Sequence, residues 1–176
     1  MAELSGQGPI AHSGATSVVD TSAVAKLGTR GVDTEGNEYV YVDFQESCIR
    51  GEWVVFDHAY AATQLTAASR GWVGVVDGTV SASDRFGWVM VRGVHTAAWA
   101  TSGATTVDPV VIAATTDLGH VATGTSADVS ILITGAHVAT APDTCASTAL
   151  STSALAAPCT VTLNYPYITG AFNVSS

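Results

Sequence analysis

Basic side chains are scarce in this chain and confined to its first part. Of 176 residues only six are Lys or Arg, and none follows Arg92, whereas that later stretch carries Asp108, Asp117, Asp128 and Asp143. A half-chain without cations cannot neutralise phosphates, so direct nucleic-acid binding is not expected, and neither is attraction to an anionic membrane surface. Charged residues of both signs make up 12% of the chain, about half of the usual quarter. Solubility then rests on Ser, Thr, Gly and a net charge of −9, or much of the surface is covered by partners. No run approaches the roughly 20 apolar residues of a membrane span. The first 30 residues lack a basic start followed by an apolar stretch, so export by the usual signal is not expected and synthesis in the cytoplasm is.

Recognisable catalytic motifs are missing as well. The chain has no Gly-X-Ser-X-Gly elbow, phosphate loop, His-Glu-X-X-His or Cys-X-X-Cys. Asp57 and His58 are adjacent, so on a strand they point to opposite faces and cannot make the Asp-to-His hydrogen bond of a triad. His12, His58, His95, His120 and His137 are scattered and form no local two-ligand motif, so no structural zinc is expected. Asp33-Thr34-Glu35-Gly36-Asn37-Glu38 superficially resembles a calcium loop but lacks the twelve-residue spacing and the closing bidentate Glu; a polar hairpin tip accounts for it more simply. The expectation is a protein that is not an enzyme, with no catalytic, cofactor or metal site.

Strand-forming residues dominate what is present. In residues 51–95, Gly51-Glu52-Trp53, Gly71-Trp72 and Gly87-Trp88 each open a short Val-rich run bounded by Gly, Ser and Asp, the pattern of β-strands joined by tight turns. Trp72-Val73-Gly74-Val75-Val76 and Trp88-Val89-Met90-Val91 are apolar on both faces, as in buried strands, and Asp77-Gly78 between them is a turn pair. Tyr39-Val40-Tyr41-Val42-Asp43-Phe44 puts Tyr39, Tyr41 and Asp43 on one face and Val40, Val42 and Phe44 on the other, and is expected to pair across the 33–38 turn. Further strands are expected near 108–114, 128–134, 136–140 and 160–165. The weakly amphipathic 59–69 and 145–157 are the only helix candidates. The predicted fold is all-β: a small β-barrel or sandwich with an appended β-layer. Its core is placed at about 25–95, an Ala/Thr/Ser-rich extension at about 96–160 and a closing strand at 160–168.

Residues 1–24 are rich in Gly, Ser and Ala, with scattered apolar anchors and Pro9. They read either as a loose terminus or as an extended N-terminal arm that orders across a neighbouring subunit, with Leu4, Pro9, Ile10, Val18 and Val19 as candidate contacts. Cys145 and Cys159 flank a loop whose ends approach if the adjoining strands pair. A disulfide there would stabilise by about 3 kcal/mol, and buried thiols are the alternative. Trp53, Trp72 and Trp88 head strands and are expected in the core. With Trp99, Tyr165 and Tyr167 they would otherwise form a carbohydrate-stacking platform.

Several of these stretches resemble the head decoration (capsid cement) proteins of tailed bacteriophages. They are Lys26-Leu27-Gly28-Thr29, Gly36-Asn37-Glu38-Tyr39-Val40-Tyr41-Val42, Gly51-Glu52-Trp53-Val54-Val55, Arg70-Gly71-Trp72-Val73-Gly74-Val75-Val76, Phe86-Gly87-Trp88-Val89-Met90-Val91-Arg92-Gly93 and the terminal Thr162-Leu163-Asn164-Tyr165-Pro166-Tyr167. The resemblance implies a β-rich structural protein of the virion, made in the host cytoplasm and bound to the outer capsid surface. There it would bridge major capsid protein subunits as a homotrimer, with a dimer as the other option. The alternative is a tail or fibre component with a receptor- or glycan-binding role.

Overall fold

The computed structural model describes residues 10–11, 16–66, 68–81, 85–101, 109–112, 119, 121–123, 132–140 and 156–168. Every regular element among them is a strand: β1 (Ile10–Ala11), β2 (Arg30–Val32), β3 (Glu38–Phe44), β4 (Trp53–Phe56), β5 (Ala61–Gln64), β6 (Gly71–Val76), β7 (Phe86–Thr101), β8 (Pro109–Ile112), β9 (Val121–Thr123), β10 (Leu132–Thr140) and β11 (Ala156–Ile168). The chain is all-β, in one mixed sheet that closes on itself through extra pairings of β7 with β3, β6 and β11.

The sixteen-residue β7 is the common wall of two groups of strands. Its first half pairs antiparallel with β3 and β6. Because β3 also pairs with β5, β5 with β4, and β4 with β6, strands β3, β5, β4, β6 and β7 form a closed ring. The second half of β7 pairs with β11 from Arg92 to Thr101. From there β11 leads to β10, β8 and β9, and β9 returns to β7 at Ala100↔Val121. Residue 95, the expected border between core and extension, lies inside β7, so both parts share that strand.

Side-chain alternation divides the interior into two cores. Val40, Val42 and Phe44 of β3 cluster with Val54, Phe56, Ala62, Val76, Val89 and Val91, all from the five ring strands, together with Cys48 and Val80 from their connections. One face from every strand of a closed ring meeting in a single cluster is what the inside of a small barrel requires. Tyr39 and Tyr41, on the other face of β3, join Trp53, Trp88 and Met90 in a second core that also takes Ile133, Val138, Val161, Leu163 and Ile168 from the extension. The period-two reading of β3 therefore corresponds to two separate cores.

Three expectations need correction. The 59–69 segment is not helical: Ala61–Gln64 is a strand pairing with both β3 and β4, because ring closure supplies partners on both edges and overrides weak helical amphipathicity. The separate strands expected at 128–134 and 136–140 are, where described, the single β10, which passes through Gly135 at φ +80 with a register shift between Thr134 and Ala136. Trp72 is 45% exposed and outside the core. As the second residue of β6 it lies at an open end of the ring, so heading a strand does not bury it. Residues 145–155 of the other helix candidate lie outside the described residues, and residues 156 and 157 begin β11.

The N-terminal segment from residue 16 onward lies along its own chain. Asp20 donates its N–H to Phe86 O at 2.8 Å and accepts from the Tyr41 hydroxyl at 2.9 Å, and Val24 N–H donates to that same hydroxyl. Val19 packs on the barrel core, and β1 pairs in parallel with β2.

Candidate functional site at the barrel mouth

One end of the first ring is open and aromatic. Phe56 and Trp72 are register partners on β4 and β6, and their rings stack at 6.2 Å. Tyr60 also stacks on Phe56, at 6.4 Å, and Tyr167 meets Trp72 edge-on at 6.4 Å. Together they make a strip of four aromatic rings, along which the barrel-core residues Val40 and Val91 floor a cavity of about 120 Å³, rimmed by Tyr60, Trp72, Arg30 and Tyr165.

Strand β11 brings Tyr165 to this rim. Asn164 is still paired with Arg92 of β7, while Tyr167 and Ile168 pair with Trp72 and Gly71 of β6, so the strand changes partner between them. Tyr165 turns that corner in the left-handed region, at φ 49. Its hydroxyl donates to Glu38 Oε2 at 2.5 Å, Arg92 donates to Glu38 Oε1 at 2.6 Å, and the Arg30 guanidinium lies 5.3 Å from the centre of the Tyr165 ring. The Tyr165 hydrogen bond, then Arg92 and Arg30, hold the Glu38 carboxyl below the ordinary glutamate range. Glu38 thus ties down the rim, each of its oxygens engaged by a neighbouring donor.

A second, polar cavity of about 310 Å³ lies beside Thr16, Asp33, Tyr39, Arg50, Asp77 and His95. His95 is 2% exposed; its Nδ1 accepts the Ala97 N–H at 3.2 Å, and its Nε2 faces Asp77 Oδ1 at 3.6 Å. That separation is too long for a hydrogen bond, and the Arg50 guanidinium stands at the same distance, 3.6 Å, from Asp77 Oδ1. His95, ahead of the opposing effect of burial, holds the Asp77 carboxyl below its ordinary value. With Nδ1 occupied by a backbone donor, a neutral imidazole carries its proton on Nε2, toward the carboxylate, and has no lone pair to offer a substrate.

The other residues singled out from sequence fall elsewhere. Asp57 Oδ1 accepts from Ala59 N and Ala61 N and so organises its own turn, beside an exposed His58. Asp33 accepts from Glu35 N, Asn37 N, Asn37 Nδ2 and the Tyr39 hydroxyl within the hairpin tip. Among the described residues no three His, Cys, Asp or Glu side chains gather as a metal site. Ile10 is in β1 and Val18 is 52% exposed; Leu4 and Pro9 lie outside the described residues. Cys159 is buried in the second core, and Cys145 lies outside the described residues. Trp53 is buried with its Nε1 donating to Trp99 O, and Trp99 Nε1 donates to Arg50 O.

Of the mouth residues, the sequence singled out Trp72 and Tyr165 only within the alternative stacking platform, Trp72 being expected in the core, and Arg30, Phe56 and Tyr60 were missed. They come from separate strands and turns, and no spacing in the chain announces their meeting. Comparison with models of protein families, with curated proteins and with solved structures finds no match to this chain.

Proposed function

We propose that this chain is a structural protein of a phage virion that binds the outer surface of an icosahedral capsid and bridges major capsid protein subunits without performing chemistry. The observation that carries this reading is where the resemblance falls. The stretches 36–42, 51–55, 70–76 and 86–93, noted above for their likeness to head decoration proteins, supply β3, β4, β6 and β7, four of the five walls of one closed barrel. The remaining two stretches, 26–29 and 162–167, lie outside that ring, the second of them in β11.

Surface chemistry supports the same reading. The N-terminal segment is pinned to the barrel by Asp20 yet presents Val18 at 52% and Val24 at 70% exposure, on a chain with few charges. Apolar side chains held outward on a fixed segment suit a contact with a neighbouring subunit. Assembled as a homotrimer or dimer, several modest contacts act together, so that release requires all of them to open at once.

Cryo-electron microscopy of the particle that carries the chain, with symmetry-averaged and tail-focused reconstructions from the same images, tests the proposal. Repeated β-rich knobs over the outer shell are expected. Density only at the tail, or none on the particle, overturns it.

A further inference from the structure

We propose that the barrel mouth is a carbohydrate subsite that stacks one pyranose ring against Trp72 and Tyr60. This does not rest on the capsid reading and holds wherever the chain is displayed.

Three observations converge on the mouth. The first is backbone strain. Tyr60 at φ 63 and Tyr165 at φ 49 are the non-glycine residues with positive φ among the described residues, and both rim this one cavity. A bulky side chain in that region costs on the order of 1 kcal/mol or more and persists only where its surroundings impose it. Here they do. Tyr60 N donates to Asp57 O at 3.0 Å and Tyr60 O accepts from Asp43 N at 2.9 Å, while the Tyr165 hydroxyl is tied to Glu38. The rim is preorganised, and two aromatic rings are held where relaxed backbone would not put them.

The second observation is the polar complement. The Tyr60 hydroxyl and the Trp72 indole N–H make no hydrogen bond with a described residue, and the Arg30 side chain is 58% exposed beside them. These groups stand at the edges of aromatic faces. A purely apolar occupant would leave them buried and unpaired, which is costly. A phosphate would gain little from faces whose π-systems are electronegative. A pyranose has both properties required: an apolar C–H face to lie on an aromatic ring and a girdle of hydroxyls that can meet the phenol, the indole N–H and the guanidinium.

The third is size. At about 120 Å³ the cavity is smaller than the ~150 Å³ that holds benzene, so it admits one edge of a pyranose, the rest of which lies over the half-exposed Trp72, and not an extended ligand. With Glu38 already engaged by Arg92 and Tyr165, the free groups are mainly donors, matching the acceptor lone pairs of sugar hydroxyls and ring oxygen.

The full-length chain is titrated with methyl glucoside, galactoside, mannoside and N-acetylglucosaminide to tens of millimolar. Binding is followed by tryptophan emission and by saturation transfer to the sugar protons. Saturable binding of at least one pyranoside is expected, weakened about tenfold or more by Trp72→Ala and by Tyr60→Ala, retained by Trp72→Phe and unchanged by Val18→Ala. Absence of saturable binding for all four sugars, or binding that survives Trp72→Ala, overturns the proposal. So does a concentration-dependent dimer that Trp72→Ala dissolves while no sugar binds, because the mouth is then an interface between copies.

Discussion

Gly28 lies against the ring of Tyr60. It has φ +80, and a Cβ built on it would overlap the Tyr60 Cε2 and Cζ atoms. The glycine therefore serves the backbone and the aromatic mouth together. Gly28→Ala is expected to destabilise the fold by about 1–3 kcal/mol, from overpacking and from the unfavourable φ. Urea denaturation measures it, and an unchanged midpoint would mean that the Tyr60 ring has room to step aside.

The tryptophans divide sharply by place in the barrel. Trp53 is fully buried and donates to Trp99 O, so Trp53→Ala is expected to cost about 3–5 kcal/mol. Trp72 is 45% exposed and packs only on Phe56 and Tyr167 among the aromatic rings, and Trp72→Ala is expected to cost less, about 1–3 kcal/mol. Equal losses in denaturation midpoint for the two variants would contradict the assignment of Trp72 to the mouth.

Acid stability should depend on Asp77. Its carboxyl is held below the ordinary 3.8, first by His95 and then by Thr16 and Arg50, against the opposing pull of burial. A group whose folded value is depressed stabilises the fold above its unfolded pKa, and that contribution disappears as the pH falls from about 3.8 through the depressed value. Asp77→Asn should flatten this acid limb in a series of denaturation curves against pH. Parallel limbs for the two proteins would show that Asp77 contributes nothing there.

Cys48 should be inert in the native state. Burial, followed by Glu52 and Glu46, pushes its thiol up to about 12, so almost no thiolate exists near pH 8. Iodoacetamide labelling followed by peptide mass spectrometry is expected to modify Cys48 only after unfolding. Native labelling at the rate of a free thiol would refute its burial, and the same peptide map reports whether residues 145 and 159 are joined.

Much of the barrel was legible along the chain, because alternation is a local property. Tyr39 and Tyr41 against Val40, Val42 and Phe44 announce a strand with two faces, and the structure assigns those faces to two cores. The aromatic and Val-rich runs at 53–56, 71–76 and 86–91 announce three more strands. β5 was not legible: the same Ala-Ala-Thr-Gln suits either a weak helix or a strand, and only edges offered by β3 and β4 select between them.

Composition and period by themselves determined that this chain forms strands, carries few charges and alternates apolar faces, since each follows from side-chain chemistry and the two-residue repeat of a strand. Tertiary structure alone decided that β7 serves two groups of strands, that Trp72 lies half-exposed at the barrel mouth while Trp53 is buried in the second core, and that Arg30, Tyr60 and Tyr165 share one rim. Burial and proximity depend on which strands close the ring and at what register, and those long-range pairings leave no periodic mark on the sequence.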